Sequence, residues 1–221
     1  MTDYLFFDLD GTLTDPFEGI TNSILHALDR MGKDKPDKAW LGRFIGPPLI
    51  LSFRKYFGMT DEEAERAQAL YREVYSVTGL YENRVYPGIP EAVRALSEAG
   101  FVLCLATSKP EPFAKQILAH FQLDGYFTEI CGATLDGTRN TKGEVLRELL
   151  ARLSVGGADL NRCRMIGDRI HDADGAREVG IRTVGVLWGY GSREELTGAG
   201  CAALAGTPEE LVSLLTPLRR V

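Results

Sequence analysis

Two aspartates spaced two apart, Asp8 and Asp10 in Phe7-Asp8-Leu9-Asp10-Gly11-Thr12, lie at the end of an apolar run that reads as a buried strand. Side chains alternate along a strand, so positions 8 and 10 share a side. Two carboxylates gathered there repel each other and lose hydration, which calls for a cation, a shared proton or a chemical task. Gly11 lets the chain turn closely around a ligand, with Thr12 beside it. A second acidic pair, Asp168 and Asp172, follows the run Arg164–Gly167 and is one turn apart if the loop coils. Hard cations such as Mg²⁺ take carboxylate and carbonyl oxygens, so Asp8, Asp168 and the Asp10 carbonyl make a credible metal site with Asp172 nearby. Thr107 and Ser108, then Lys109-Pro110, come directly after the run Phe101–Ala106. A hydroxyl and backbone N–H groups at a helix start cradle phosphate oxygens, although the same pattern also serves as an ordinary N-cap. Lys142 opens a helical pattern and supplies a compact positive charge. A nucleophile, a proton donor, a metal site and positive donors are what phosphoryl transfer requires.

The elements that must position these groups alternate. Tyr4–Leu9, Phe101–Ala106, Thr128–Gly132, Arg164–Gly167 and Thr183–Leu187 are short apolar runs without alternation, as strands covered on both faces require. Between them lie helical patterns. Pro90–Ala99 starts with proline and stops at Gly100; Phe113, Ile117 and Phe121 recur at helical spacing, as do Val145, Leu149 and Leu153; Asp172–Val179 stops at Gly180. This is the pattern of an α/β fold, a three-layer Rossmann-like core with a parallel sheet. Ligands of such sheets bind beyond the carboxyl ends of the strands, where the acidic, hydroxyl and ammonium groups above all fall.

From Pro16 to about Glu82 the alternation stops. One helical stripe is Phe17, Ile20, Ile24, Ala27 and Met31; another runs from Ala64 to Thr78, after a capping box of Thr60 and Glu63. Gly42–Pro48 between them reads as a turn, because tandem prolines and flanking glycines oppose helix. The expected division is therefore a core of residues 1–15 and 84–221 with an all-helical insertion at 16–83, crossed near Thr14–Pro16 and Asn83–Gly88.

Twenty-five basic against thirty-one acidic residues among 221 give a net charge of −6, which argues against a nucleic-acid polymer or an anionic membrane surface as partner. A single phosphate needs only a local donor cluster, so a small phosphorylated metabolite is not excluded. No apolar run reaches the roughly 18 residues of a membrane span. Met1-Thr2-Asp3-Tyr4 lacks a basic secretory start, and the four cysteines at 104, 131, 163 and 201 form no Cys-x-x-Cys pair. The expectation is a cytoplasmic protein with reduced cysteines. Oligomeric state is not legible.

Asp8-x-Asp10-Gly11-Thr12, Thr107, Lys142 and Gly167-Asp168-x-x-x-Asp172 together resemble, in order, the four motifs of the haloacid dehalogenase superfamily. Across the stretches RFIGPPL, VYPGIPE, ATSKPE, NTKGEV and GVLWGYGSREEL the chain is similar to the phosphoglycolate phosphatase and 5′-nucleotidase-like branch, whose helical cap corresponds to the insertion. The resemblance implies a Mg²⁺-dependent phosphomonoesterase. Asp8 would become an aspartyl-phosphate, and Asp10 would protonate the leaving oxygen and then activate water. Thr107 would hold phosphate oxygens, Lys142 would offset charge, and Asp168 would bind Mg²⁺ with Asp172 in support. The cap would close over the site and read the leaving group. Asp10 argues against dehalogenation, since halide leaves without a proton. A sugar-phosphate mutase and a non-catalytic phospho-aspartate signalling or binding module are the more distant alternatives. Arg43 and Phe44 form the one cap loop whose composition suits a ligand: an aromatic to pack on a base and a charge to meet an anion. That favours a nucleoside 5′-monophosphate over phosphoglycolate as substrate, unless the loop is simply a structural turn.

Overall fold

In the computed structural model, which describes residues 3–218, the chain forms β1 (Tyr4–Phe7), β2 (Thr14–Asp15), α1 (Phe17–Arg30), α2 (Leu49–Phe57), α3 (Asp61–Val74), β3 (Arg84–Val85), α4 (Ile89–Glu98), β4 (Val102–Pro110), α5 (Glu111–His120), β5 (Phe127–Ala133), α6 (Lys142–Leu153), β6 (Cys163–Gly167), α7 (Ile170–Glu178), β7 (Arg182–Val186), α8 (Arg193–Gly198), β8 (Ala203–Ala205) and α9 (Pro208–Leu215). The chain divides into two compact units, Pro16–Arg84 and the remainder.

The larger unit is built on a six-stranded sheet in the order β5-β4-β1-β6-β7-β8, parallel throughout. Leu5, Phe6 and Phe7 are all at most 1% exposed, so β1 is covered on both faces and has no polar side to alternate with. On one face Phe6, Cys104, Cys131 and Met165 meet Val145, Leu146 and Leu149 of α6 and Ala176 of α7. Helices α4 and α9 pack together and α4 lies against β4. Thr141 and Glu144 close a reciprocal capping box on α6, which fixes where that helix starts and hence where Lys142, its first residue, stands. The buried thiols of Cys131 and Cys163 are pushed up to about 11 and that of Cys104 to about 12 by burial, and none is bonded to another. Among the described residues no helix is long and apolar enough to cross a membrane.

Two elements depart from the expected pattern. β8 is a three-residue edge strand of alanine and leucine with no β-branched or aromatic residue to announce it. β4 runs on through Thr107 to Pro110, past the end expected at Ala106. Its pairing with β5 slips between Thr107↔Gly132 and Pro110↔Ala133, a bulge that re-aims Ser108 and Lys109.

The smaller unit is helical. α1 packs on α3, and α2 packs on α3. The turn expected over Gly42–Pro48 begins later, because Ala39–Phe44 winds as a 3₁₀ segment and only Ile45–Pro48 separates it from α2. Gly58, at φ +63°, ends α2 in the left-handed conformation. Thr60 and Glu63 form the expected capping box of α3. The cap boundary at the return crossing lies after Arg84, one residue beyond the expected Asn83.

Candidate active site

The carboxyl ends of β1, β4 and β6 and the start of α6 bring the candidate groups to one edge of the sheet. The ladder of β1 and β6 extends one step past the strand, with Asp8 N donating to Ile166 O at 2.9 Å. This carries Asp8 opposite Gly167, next to Asp168. Asp8, Asp168 and Asp172 are all buried, and each offers a carboxylate oxygen within 4.8 Å of the others. Gly11 has φ +86°, and a Cβ there would overlap the Asp168 carboxylate, so only glycine allows the loop to pass this close. Thr12 Oγ1 donates to Asp168 Oδ1 at 3.4 Å. Asp172 stands in the first turn of α7, where Arg169 N donates to its Oδ2 at 3.1 Å and the helix N-terminus favours negative charge.

Lys142 is the cation of this cluster. Its Nζ lies 2.8 Å from Asp8 Oδ1 and 2.9 Å from Asp172 Oδ1, and donates to Ala106 O at 2.7 Å. Asp10 is held separately: Lys109 Nζ is 2.7 Å from Asp10 Oδ2, in a pair whose side chains are 5% and 12% exposed. The bulge in β4 delivers Lys109 there. Thr107 is buried and its Oγ1 accepts from Lys109 N at 3.2 Å, so it shapes the same turn. It is not the N-cap of α5, which starts at Glu111 after Pro110. Ser108 is half-buried beside it.

Burial sets the electrostatics. Desolvation raises the proton affinity of Asp10 even against the Lys109 charge, and Asp168 rises well above the usual carboxylate range through desolvation and then the charges of Asp172 and Asp8. Asp172 is pushed up to about 6 by desolvation, with Lys142 pulling the other way. Burial acts against the Lys142 ammonium, but Asp172 and Asp8 outweigh it and its pKa is raised. Lys142 therefore stays charged.

Four carboxylates (positions 8, 10, 168 and 172) face two ammonium groups (positions 109 and 142), which leaves two negative charges if all ionise. Asp10 Oδ1 is buried with no hydrogen-bond partner among the described residues, and the Asp8 and Asp172 oxygens that face Lys142 make no other hydrogen bond. An all-oxygen donor set with a deficit of two positive charges and under-used lone pairs fits a hard divalent cation.

The cap residues are placed differently. Phe44 is 1% exposed, with ring centroids 5.3 Å from Tyr56 and 5.4 Å from Phe53 and with Trp40 and Phe57 also around it. The expectation that Phe44 packs on a base is corrected on that ground: its faces are taken by the cap's own core. Arg43 is exposed, its guanidinium 4.3 Å above the Trp40 ring and 5.5 Å from Tyr56. Aromatic stacking holds that charge in place.

Sequence reasoning passed over the loop after β7. Trp188 Nε1 donates to Thr12 O at 2.9 Å, Tyr190 N donates to Asp168 Oδ2 at 2.7 Å, and the Tyr190 hydroxyl donates to Asp15. The available signal was Trp-Gly-Tyr-Gly directly beyond the carboxyl end of a central strand, on the same edge as the aspartates.

A parallel α/β sheet carrying buried aspartates and a bridging lysine at its carboxyl edge, with a helical insertion after the first strand, is the design of a phosphoryl-transfer hydrolase. Residues 5–186 match the haloacid dehalogenase-like hydrolases, and the chain belongs to that family. It is 48% identical over 213 residues to a 5′-nucleotidase of Pseudomonas aeruginosa, covering 95% of each chain. It is 41% identical to the tyrosine-protein kinase PtkA of Mycobacterium tuberculosis, over 94% of this chain and 70% of that one. A predicted phosphatase from Clostridium acetobutylicum superposes with a TM-score of 0.93 at 40% identity, covering 98% of this chain and 99% of the other. The chain is an enzyme of the phosphatase class, a phosphoric monoester hydrolase.

Proposed function

We propose that this phosphatase hydrolyses a nucleoside 5′-monophosphate through an aspartyl-phosphate on Asp8, with Mg²⁺ as cofactor. The observation that carries it is the division of labour between the two lysines: Lys142 bridges Asp8 and Asp172, whereas Lys109 holds Asp10 apart from them. Asp8 attacks phosphorus as the bond to the ester oxygen breaks, and Asp10 donates its proton to that oxygen. Burial favours the protonated form of Asp10 that this first step needs. Asp10, now ionised, takes a proton from water as the water oxygen attacks the aspartyl-phosphate, releasing inorganic phosphate and regenerating the Asp8 carboxylate. Lys142 offsets charge at Asp8 throughout. Thr107, Ser108 and Lys109, with Gly11 and Thr12, supply hydroxyl, amide and ammonium donors for the non-bridging oxygens. Asp8, the Asp10 carbonyl and Asp168, with Asp172 in support, would hold Mg²⁺, which supplies positive charge that lets an anionic nucleophile approach an anionic phosphate.

The nucleotide assignment is supported by the 48% identical relative named a 5′-nucleotidase. Phosphoglycolate is the alternative substrate. The test is a phosphate-release screen over nucleoside 5′-monophosphates, phosphoglycolate and sugar phosphates, with and without chelator. A tyrosine peptide added to the same mixture reads out transfer to a phenol in place of water. Release from 5′-monophosphates above the rest, stopped by chelator and restored by Mg²⁺, is the expected result. Isomerisation of a sugar phosphate without release would favour a mutase instead.

A further inference from the structure

The loop Trp188–Ser192 makes three kinds of contact that the chemical steps above do not use. Its backbone grips Asp168, since Tyr190 N donates to Oδ2 at 2.7 Å. A Cβ at Gly189 would overlap both the Gly11 carbonyl and the Asp168 side chain, and one at Gly191 would overlap the Asp168 carbonyl, so the loop lies flat on this aspartate over three consecutive residues. Its side chains then reach outward. Trp188 holds the Thr12 carbonyl, and the Tyr190 phenol donates to Asp15, the last core residue before the chain leaves for the cap. Tyr86, just inside the core on the return, interacts electrostatically with the same phenol. Tyr86 N in turn donates to Leu13 O at 3.1 Å. One tyrosine thus joins the outgoing chain crossing to a single carboxylate of the acidic cluster.

We propose that Tyr190 is a positioning residue for the divalent site: its phenol, anchored on Asp15, fixes the backbone amide that orients the Asp168 carboxylate. This role is independent of substrate, but it rests on Asp168 holding the divalent cation as proposed above. A carboxylate oxygen that accepts a backbone N–H is restricted in rotation, which leaves the other oxygen aimed at its ligand with less order to impose on binding. Loss of the phenol anchor frees the loop and returns that ordering cost to the binding step. Groups that orient a metal ligand typically change affinity 10- to 100-fold, and Tyr190 acts through its own backbone, so the lower end of about tenfold applies.

The experiment is Mg²⁺ binding by titration calorimetry on the full chain without substrate, with Mg²⁺-dependent phosphate release measured in parallel. Tyr190→Phe and Asp15→Ala are each expected to weaken Mg²⁺ by about tenfold, raising the Mg²⁺ needed for half-maximal activity by the same factor while the rate at saturating Mg²⁺ changes less than threefold. Asp15→Asn keeps an acceptor oxygen for the phenol and is expected to stay within about twofold of the parent. The double variant Tyr190→Phe/Asp15→Ala should be no weaker than either single one, because both remove the same bond. Should Tyr190→Phe fail to fold, Asp15→Ala against Asp15→Asn carries the same comparison. Affinities within twofold of the parent in both Tyr190→Phe and Asp15→Ala, or Asp15→Asn as weak as Asp15→Ala, would overturn the proposal. A parent chain that binds no Mg²⁺ would overturn the metal assignment itself, which separates the two failures.

Discussion

Replacing Lys142 with methionine keeps the aliphatic stem and removes one charge from a pocket that has two positive groups against four carboxylates. Lys142 sits 2.8 and 2.9 Å from Asp8 and Asp172, and all three side chains are at most 8% exposed. Removing one partner of a buried ionic cluster typically costs about 3–5 kcal/mol, because the remaining charges keep their desolvation penalty and lose their compensation. Here two carboxylates and the Ala106 carbonyl lose that partner together. In the metal-free protein at pH 8 the expected loss is therefore about 3–5 kcal/mol by urea unfolding. The loss should shrink at pH 5. Asp172 already has its pKa pushed up to about 6 in the parent and would rise further without Lys142, so at pH 5 a proton replaces the missing ammonium charge. One pKa unit corresponds to about 1.4 kcal/mol, which sets the scale of the recovery. Phosphatase activity should fall at every pH, since the bridging charge is gone. A loss below about 1 kcal/mol at pH 8, or a larger loss at pH 5 than at pH 8, would refute the placement of Lys142 as the charge that balances Asp8 and Asp172.

The same carboxylates make metal-free stability depend on pH with a definite sign. Asp172 binds its proton more tightly folded (about 6) than unfolded (3.8), so its contribution to stability is present below about 3.8 and is lost as pH rises towards 6; Asp168 acts in the same direction. The rise in Tm on adding Mg²⁺ should accordingly be larger at pH 8 than at pH 5, and an equal rise at both would contradict it. Arg43→Ala should change the ranking of substrates in the phosphate-release screen while leaving hydrolysis of p-nitrophenyl phosphate within about threefold, because Arg43 is exposed on the cap and stacked on Trp40. Equal losses on every substrate would make Arg43 a structural residue of the cap.

What could be read from the sequence follows the physics of each signal. β1, β6 and β7 are legible because a strand buried on both faces must be apolar throughout, and α6 because Thr141 and Glu144 mark its start. Asp8, Asp168 and Asp172 could be brought together on paper because strand ends in a parallel sheet share one edge. The bulge at Ser108–Lys109 was not legible: it depends on how β4 slips against β5, which neither strand's own residues state. Lys109 was therefore expected at the phosphate cradle but not as the partner of Asp10. Phe44 shows the converse error, since an aromatic in a Gly/Pro-rich loop has the composition of a binding residue whether or not its ring is free. Trp40 of its own 3₁₀ segment and Phe53, Tyr56 and Phe57 of α2 enclose it, and composition alone cannot anticipate that. Tyr190 was missed because its importance lies in two contacts at sequence distances of 22 and 175 residues.

Covalent capture of phosphate on Asp8 is the most direct trial of the proposed chemistry. Asp10→Asn removes the group that protonates the leaving oxygen and activates water, and p-nitrophenyl phosphate has a leaving group acidic enough to depart without a proton. With that variant and that ester in the presence of Mg²⁺, a burst of about one nitrophenol per protein should precede slow turnover. Acid quenching and borohydride reduction should then modify the peptide that contains Asp8. Turnover without a burst, or modification on a peptide lacking Asp8, would contradict Asp8 as the nucleophile.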